Sequence, residues 1–143
     1  MQEIEPTVSF PLVMLIKVHW LLASDLLAEL DLYPGQELLL MAVAREEGIA
    51  QGDLGDYLNV EPPTVARSLQ RLERAGLVER RLNPHDGRVL RVYLTAESRA
   101  LRGKIAAIWQ ELNNRMLKGV SGVEQAFLRR LLVQLRDNIS QGS

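Results

Sequence analysis

The segment from Val60 to Thr95 constrains the fold of this chain more than any other part of it. Val65, Leu69 and Leu72 are separated by four and three residues, which is the spacing of one face of an α-helix. Gly76 follows and is a typical helix stop, because glycine readily adopts the left-handed conformation that closes a helix. This part of the segment therefore predicts a short amphipathic helix with a sharp end.

The residues after this stop predict a β-hairpin. Residues 79–82 form a short basic strand, and residues 88–94 place side chains on alternate faces with the two-residue period of a strand. Between them, residues 83–87 read NPHDG, which is rich in turn formers. A helix, a glycine stop and a basic hairpin occur in this order in a winged helix-turn-helix.

The polar face of the predicted helix carries side chains suited to DNA. Opposite the apolar stripe lie two hydroxyl residues, one amide and three arginines: Thr64, Arg67, Ser68, Gln70, Arg71 and Arg74. Arginine can donate two hydrogen bonds to guanine, and small hydroxyl and amide groups can approach base edges in the major groove. Such residues are also common on ordinary exposed helices, so the helix alone leaves both interpretations open.

The predicted turn of the hairpin carries Asp86, with Arg88 two residues later. The carboxylate of Asp86 can hold the guanidinium of Arg88 in a fixed fork. An arginine held in this way can project into a minor groove, where narrow A·T tracts concentrate negative potential. An Asp-Gly-Arg turn also occurs in hairpins that bind no nucleic acid.

The formal net charge of −1 conceals a strong asymmetry along the chain. Residues 1–59 contain two Lys/Arg and ten Asp/Glu, residues 60–95 contain seven and four, and residues 96–143 contain eight and four. Phosphate binding depends on local positive charge, so a basic stripe can serve within a nearly neutral protein. A solvated charged face explains the same distribution equally well.

The residues on either side of this segment predict further helices. Residues 9–30 are more apolar than one helical stripe requires, so that helix must be covered on most sides. A chain of 143 residues can hardly cover it alone, and we expect burial against a partner chain. A second helix is predicted to open at Pro34 and to run over residues 35–46, with Gly48 after it as a left-handed cap. Other helices are predicted at residues 51–58 and 96–118, followed by a last helix after the capping box SGVE at residues 121–124.

The most apolar run, from Phe10 to Ala23, predicts a buried helix of a soluble protein. The run is shorter than the ~20 residues of a membrane span, contains Lys17 and His19, and lacks the features of a signal peptide. The chain has no cysteine, which excludes disulfides and thiolate zinc sites. We therefore expect a cytoplasmic protein without membrane association, metal or other cofactor.

The sequence does not indicate catalysis. The two histidines, His19 and His85, fall on different predicted elements, and no glycine-rich phosphate loop or His-x-x-x-His spacing is present. Asp53 and Asp56 are a candidate carboxylate pair, but two acids on a short exposed helix usually face solvent. We therefore expect no enzymatic activity.

Taken together, the motifs resemble the MarR family of winged helix-turn-helix transcription regulators. The matching residues are Leu69-x-x-Leu72-Glu73-x-x-Gly76-Leu77-Val78, the Arg80-Arg81 strand, Pro84-x-Asp86-x-Arg88, Leu94-Thr95 and Pro34-x-Gln36. The resemblance implies a mainly α (α+β) fold in one domain, residues 1–143, with a β-hairpin wing. It also implies a DNA-binding lobe at residues 34–95 and dimerisation helices at residues 9–32 and 96–140.

The resemblance also implies which residues contact DNA. The positions that match the family's contacts lie on the supporting helix, the recognition helix and the wing: Gln51, Thr64, Arg67, Ser68, Arg71 and Arg88, with Asp86 orienting Arg88. The sequence departs from the family pattern at the Pro62-Pro63 helix entry, at Ala66 and at Gly87. These departures affect the operator sequence more than DNA binding itself.

Membership of such a family implies a homodimer on double-stranded DNA. Two recognition helices would enter successive major grooves roughly 34–36 Å apart, so the operator should be a pseudo-palindrome. A small-molecule effector is expected near the junction of the dimer helices and the DNA-binding lobe, with His19, Trp20 and Trp109 as candidates that also fit core or interface positions. The alternative function is a winged-helix module for protein contacts without specific DNA binding.

Overall fold

The computed structural model describes residues 3–141, and within that range it contains six α-helices and two antiparallel strands. The elements follow in the order α1 (Ser9–Ala28), α2 (Gln36–Arg45), α3 (Gln51–Leu58), α4 (Pro62–Arg74), β1 (Val78–Asn83), β2 (Asp86–Leu94), α5 (Ala96–Met116) and α6 (Gly122–Gln141). This architecture confirms the predicted fold class. The chain divides into two compact units after Trp109, so the division falls within α5.

Helix α4 buries the apolar face that the sequence predicts. Val65, Leu69 and Leu72 are at most 1% exposed, and the helix packs against α2, α3 and β1. Burial of each such side chain contributes roughly 1.5–3 kcal/mol, which is enough to fix the rotation of α4 about its own axis. The helix begins at Pro62, where the missing N–H of proline costs no hydrogen bond.

Helices α3 and α4 form a tight helix-turn-helix. Asn59 adopts the left-handed conformation at the end of α3, with φ 56°, and turns the chain toward α4. A Cβ on Gly55 would lie 3.0 Å from the carbonyl oxygen of Val60 and 3.2 Å from a methyl carbon of Val65. Glycine at this position therefore permits the close approach of the two helices.

The hairpin pairs regularly from Val78 with Leu94 to Leu82 with Leu90, and then its register breaks. Asn83 pairs with Asp86, so residues 84–85 form the tip and residues 87–89 form an irregular bulge in β2. The predicted turn over residues 83–87 was therefore too long. The strand includes Asp86 because Asn83 pairs directly across the two-residue tip.

The segment before α3 forms an isolated β-bridge beside the hairpin, between Ala50 and Arg91. The N–H of Gly48 donates to the carbonyl of Val92 at 2.9 Å, and the N–H of Val92 donates to the carbonyl of Ile49 at 3.0 Å. Gly48 has φ 87°, which confirms its predicted left-handed conformation, and a Cβ there would lie 3.2 Å from the ring of Tyr93. Glycine at position 48 therefore permits the positive φ and leaves room for the Tyr93 ring.

Helix α2 begins two residues later than the prediction that placed Pro34 in its first position. Gly35 is the N-cap with φ 101°, a conformation outside the helical region, so Pro34 must lie before the helix. The N–H of Tyr33 donates to the side-chain oxygen of Gln36 at 2.9 Å, which stabilises this entry. The prediction for Pro34 was wrong because the glycine that follows it turns the chain.

Helix α1 is long and apolar, but within this chain it is mostly exposed. Its buried residues are Ala23, Leu26 and Leu27, all near its C-terminal end. Its exposed large apolar side chains are Phe10, Val13, Met14, Leu15, Ile16, Val18, Trp20 and Leu21. This exposure agrees with the expectation that the chain alone does not cover the helix, and burial of α1 against a partner chain stays a prediction.

The length of α1 also corrects a prediction. The helix continues past Ala23 to Ala28, and its 20 residues are long and apolar enough to cross a membrane by length and composition alone. The core helix of a soluble protein meets the same criteria, so this property by itself is weak evidence for a membrane span. Contrary to the prediction, the length of this helix therefore does not exclude a membrane span.

Helix α6 begins with the predicted capping box. The N–H of Glu124 donates to the Ser121 hydroxyl at 3.2 Å, and the N–H of Ser121 donates to the Glu124 carboxylate at 3.0 Å. These hydrogen bonds lower the pKa of Glu124. No residue of α6 is buried, and its exposed large apolar side chains are Val123, Phe127, Leu128, Leu132, Leu135 and Ile139.

We predict that Gly48→Ala destabilises the protein by about 1–2 kcal/mol, because alanine is strained at this positive φ and its methyl group meets the Tyr93 ring. Gly52→Ala is the control, since Gly52 lies in helix α3 with open space around its Cβ and is expected to be neutral or slightly stabilising. Urea unfolding of both variants measures the difference. Equal free energies of unfolding would contradict the prediction.

Candidate nucleic-acid interface

Helix α4 presents a basic surface opposite its buried face. Thr64, Arg67 and Arg71 are exposed, as the sequence predicts. Gln70 and Arg74 are exposed on the same helix and extend this surface toward the C-terminal end. Three arginines and two neutral polar side chains are therefore available together to a ligand outside the helix.

Ser68 lies at the edge of this surface rather than at its centre. Its side chain is half-buried, and with Thr64 and Arg71 it lines a cavity of about 200 Å³ that also touches the start of α2. The three residues are spaced by four and three, so they form one flank of the helix. Ser68 is therefore less accessible to a large ligand than Arg67 or Arg71.

Arg88 projects from the bulge in β2, and its side chain is 92% exposed. One carboxylate oxygen of Asp86 accepts from the backbone N–H of Arg88 at 3.1 Å and from its Nε at 3.2 Å. The predicted support by Asp86 is thus present, but it uses Nε and the backbone rather than a fork of two side-chain nitrogens. This arrangement leaves the two terminal nitrogens of Arg88 directed to solvent.

Gln51 is the first residue of α3 and is half-buried. It lines an open cleft of about 400 Å³ together with Pro62, at the start of α4, and Arg88. The structure therefore brings the predicted residues of the supporting helix and the wing to one cleft. Residues that are far apart in sequence meet there because β2 packs against α3.

Arg80 connects these elements, although the sequence pattern marked it only as part of the basic strand and assigned it no contact. Its guanidinium donates to both carboxylate oxygens of Glu73, from Nη2 at 3.1 Å and from Nε at 3.4 Å. Its Nη1 donates to the side-chain oxygen of Gln51 at 3.4 Å. The Arg80 side chain is only 16% exposed, and the hydrogen bonds from it hold the pKa of Glu73 below its usual value of 4.5.

Two other arginines of the hairpin also have partners within the protein. Arg81 donates to Glu79 at 2.7 Å and lies over the ring of Tyr93 at 4.2 Å, and the hydrogen bond to Glu79 raises the pKa of Arg81. Arg91 donates to the carbonyl of Gly48 at 2.9 Å. The basic character of the strands therefore reflects structural contacts as well as a surface charge.

The three candidate effector residues do not converge on one site. Trp20 is 54% exposed and lines a cavity of about 440 Å³ beside the α1–α2 connection. His19 is half-buried and is not among the residues lining that cavity. The indole N–H of Trp109 donates to the carboxylate of Glu37 at 3.1 Å, and Glu37 is itself 4% exposed and accepts from the N–H of Gly35.

Comparisons with known proteins identify the family. A model of the MarR family matches residues 24–89. The chain is 34% identical to the uncharacterized HTH-type transcriptional regulator YwoH of Bacillus subtilis (strain 168), over 115 residues that cover 80% of this chain and 72% of that protein. The chain belongs to the MarR family. A second relative from the same strain, the uncharacterized HTH-type transcriptional regulator YdgJ, is 34% identical over 104 residues that cover 73% of this chain and 63% of that protein.

A solved structure supports the same assignment. The crystal structure of a MarR mutant from E. coli complexed with operator DNA superposes with a TM-score of 0.83 at 27% identity, covering 90% of this chain and 92% of that one. The present MarR-family chain therefore has the fold of a transcriptional regulator that binds DNA. These findings confirm the resemblance inferred from the helix and hairpin motifs.

The pair between Arg80 and Glu73 in this MarR-family chain predicts a pH-dependent stability. A lowered pKa means that the charged carboxylate stabilises the fold above pH 4.5, and that this contribution disappears as the pH falls through the lowered pKa. Glu73→Gln should therefore be less stable than the wild type at neutral pH, by at most about 1 kcal/mol because the pair is partly exposed. The difference should vanish in acid.

Chemical unfolding at a series of pH values between neutrality and acid tests this expectation. Glu61→Gln is the matched control, since it removes an exposed carboxylate from the opposite end of α4. A constant difference between the wild type and Glu73→Gln across the whole pH range would contradict the role of the ionised pair.

Proposed function

We propose that this chain is a sequence-specific, double-stranded DNA-binding transcriptional regulator. The observation that carries the proposal is the exposed basic face of α4, including Arg67 and Arg71, combined with a wing from which Arg88 projects. The relatives named above are transcriptional regulators, and the E. coli structure contains operator DNA. These observations favour DNA binding over a winged-helix module for protein contacts.

Helix α4 is the element that fits the major groove. Arg67 and Arg71 would donate to guanine edges or phosphates, and Thr64 would approach bases near the start of the helix. Ser68, at the flank, is placed to contact the sugar-phosphate backbone rather than the centre of the groove. Reading of base edges by α4 would supply most of the sequence specificity.

The supporting helix and the wing would fix the position of the protein on the duplex. Gln51 lies at the N-terminus of α3, where its amide and the backbone N–H groups favour a phosphate oxygen. Arg88, held at Nε by Asp86, would place its terminal nitrogens in the adjacent minor groove. One half-site would thus be defined by three contacts: α4 in the major groove, Gln51 at a backbone phosphate and Arg88 in the adjacent minor groove.

The protein would act as a homodimer. Helices α1 and α6 each expose many large apolar side chains, which a monomer would leave in water. Residues 9–32 and 96–140 would supply the dimer interface, and residues 34–95 the DNA-binding lobe. Two-fold symmetry would match a pseudo-palindromic operator, and occupation of a promoter by the dimer would exclude polymerase and repress transcription.

The remaining features fit a cytoplasmic regulator without catalytic activity. Burial of α1 in a dimer interface would account for its apolar composition without a membrane. The cavity of about 440 Å³ beside Trp20 is within the size range of small-molecule sites. An effector bound there would act through different affinities for DNA-competent and DNA-incompetent states of the dimer.

We predict that Arg88→Ala weakens operator binding by about 1–3 kcal/mol and reduces discrimination for A·T base pairs at the flanks of the site. Fragments selected from the source genome would supply the operator, and fluorescence anisotropy would measure affinity. Arg81→Ala is the control, because Arg81 is held by Glu79 and Tyr93. If Arg88→Ala bound the operator with unchanged affinity, the proposed DNA contact by the wing would be wrong.

The same assay separates the two candidate functions. A DNA-binding regulator shows affinity that falls steeply with salt concentration, because binding releases counterions from the phosphates. If the protein is instead a module for protein contacts, the wild type selects no DNA fragments and shows no salt-dependent DNA binding. That second result would overturn the proposed function.

We also predict that the wild type sediments at twice the 16.1 kDa mass of the chain. Phe127→Glu should shift the protein toward monomer, because it places a charge on an exposed apolar residue of α6 that the interface would bury. Gln134→Glu adds the same charge at an exposed polar position of α6 and should remain dimeric. Sedimentation equilibrium measures all three masses, and a dimeric Phe127→Glu would argue against this face.

A further inference from the structure

We propose that Arg80 is a positioning residue for DNA recognition. It orients the amide of Gln51 toward the DNA and ties the recognition helix to the wing through Glu73. This inference rests on the proposed DNA-binding function. It adds to that function a residue that none of the matched DNA-contact positions includes.

One guanidinium connects three elements that would each approach DNA. Arg80 belongs to β1, the first strand of the wing, while Glu73 lies in the last turn of α4 and Gln51 begins α3. Both oxygens of Glu73 and the amide oxygen of Gln51 accept from separate nitrogens of Arg80, at 3.1, 3.4 and 3.4 Å. A planar donor with a rigid geometry restricts the relative movement of all three elements.

The contact to Gln51 determines which end of the amide is free. A glutamine side chain has an acceptor oxygen and a donor NH₂ group on the same carbon. Because Arg80 holds the oxygen, the NH₂ group is the end that remains for an outside partner. A phosphate oxygen accepts hydrogen bonds only, so this orientation is the one that binds the DNA backbone.

Loss of Arg80 would remove this preference. The amide of Gln51 could then rotate by half a turn and present its oxygen to a phosphate, which is a repulsive arrangement. Glu73 would lose its partner at the same time, and α4 would be less firmly attached to β1. Both changes reduce operator binding without removing any side chain that contacts DNA.

A direct phosphate contact by Arg80 is the competing explanation, and the structure argues against it. The Arg80 side chain is 16% exposed, whereas that of Arg88 is 92% exposed. All three guanidinium nitrogens of Arg80, Nε, Nη1 and Nη2, donate to protein oxygens. A residue used in this way is poorly placed to neutralise a phosphate.

The experiment compares Arg80→Gln and Arg80→Lys with the control Arg81→Gln, using operator affinity at several salt concentrations. Arg81 is adjacent in β1, carries the same charge and is held away from Gln51 by Glu79 and Tyr93. Both Arg80 variants should lose about tenfold in operator affinity relative to the control, because lysine cannot reproduce the planar fork. The slope of log affinity against log salt should stay at the wild-type value.

A slope that decreases by about one for each subunit, with binding rescued by lysine, would identify Arg80 as a phosphate contact and overturn the inference. Arg80→Gln that binds like Arg81→Gln would overturn it as well. Failure of the wild type to bind any DNA would instead contradict the proposed function. The two failures are therefore distinguishable.

A double-mutant cycle tests the link to Gln51. In a Gln51→Ala background, Arg80→Gln should reduce operator affinity much less than in the wild type, because the amide that Arg80 orients is absent. Fully additive losses would overturn that link. If Arg80→Gln does not fold, the same cycle is made with Arg80→Lys, and Glu73→Gln should then show reduced operator affinity at an unchanged salt slope.

Discussion

Burial of one face of helix α4 is the constraint on which the rest of the structure depends. Val65, Leu69 and Leu72 are nearly inaccessible to solvent, and the helix packs against α2, α3 and β1. Rotation of the helix would expose these side chains at a cost of roughly 1.5–3 kcal/mol each. Hydrophobic packing therefore places Arg67 and Arg71 on the outer surface of the helix. No contact made by these arginines themselves is needed to hold them there.

Polar contacts then set the geometry that packing leaves undetermined. Arg80 joins α3, α4 and the wing, and the segment through Gly48 adds a short extended edge to the hairpin. Asp86 orients Arg88 through a single carboxylate oxygen. Each of these interactions involves a charged or backbone group whose energy depends strongly on distance, so small displacements would alter the presented surface.

Helices α1 and α6 have apolar faces that the chain itself leaves mostly exposed. Local composition cannot distinguish a helix covered by a partner from one covered by lipid, because both environments favour the same side chains. The proposed two-fold interface would cover these faces without lipid, and it would also supply the spacing between recognition helices that an operator requires.

The sequence by itself determined the mainly helical fold class, the apolar face of α4, the left-handed Gly48 and the capping box at Ser121. These features depend on short-range periodicity and local backbone preference, which neighbouring residues carry. Tertiary structure alone decided the bulge that projects Arg88 and the meeting of Arg80 with Gln51 and Glu73. Those outcomes depend on contacts between residues distant in sequence. The local sequence pattern does not specify which distant residues come into contact.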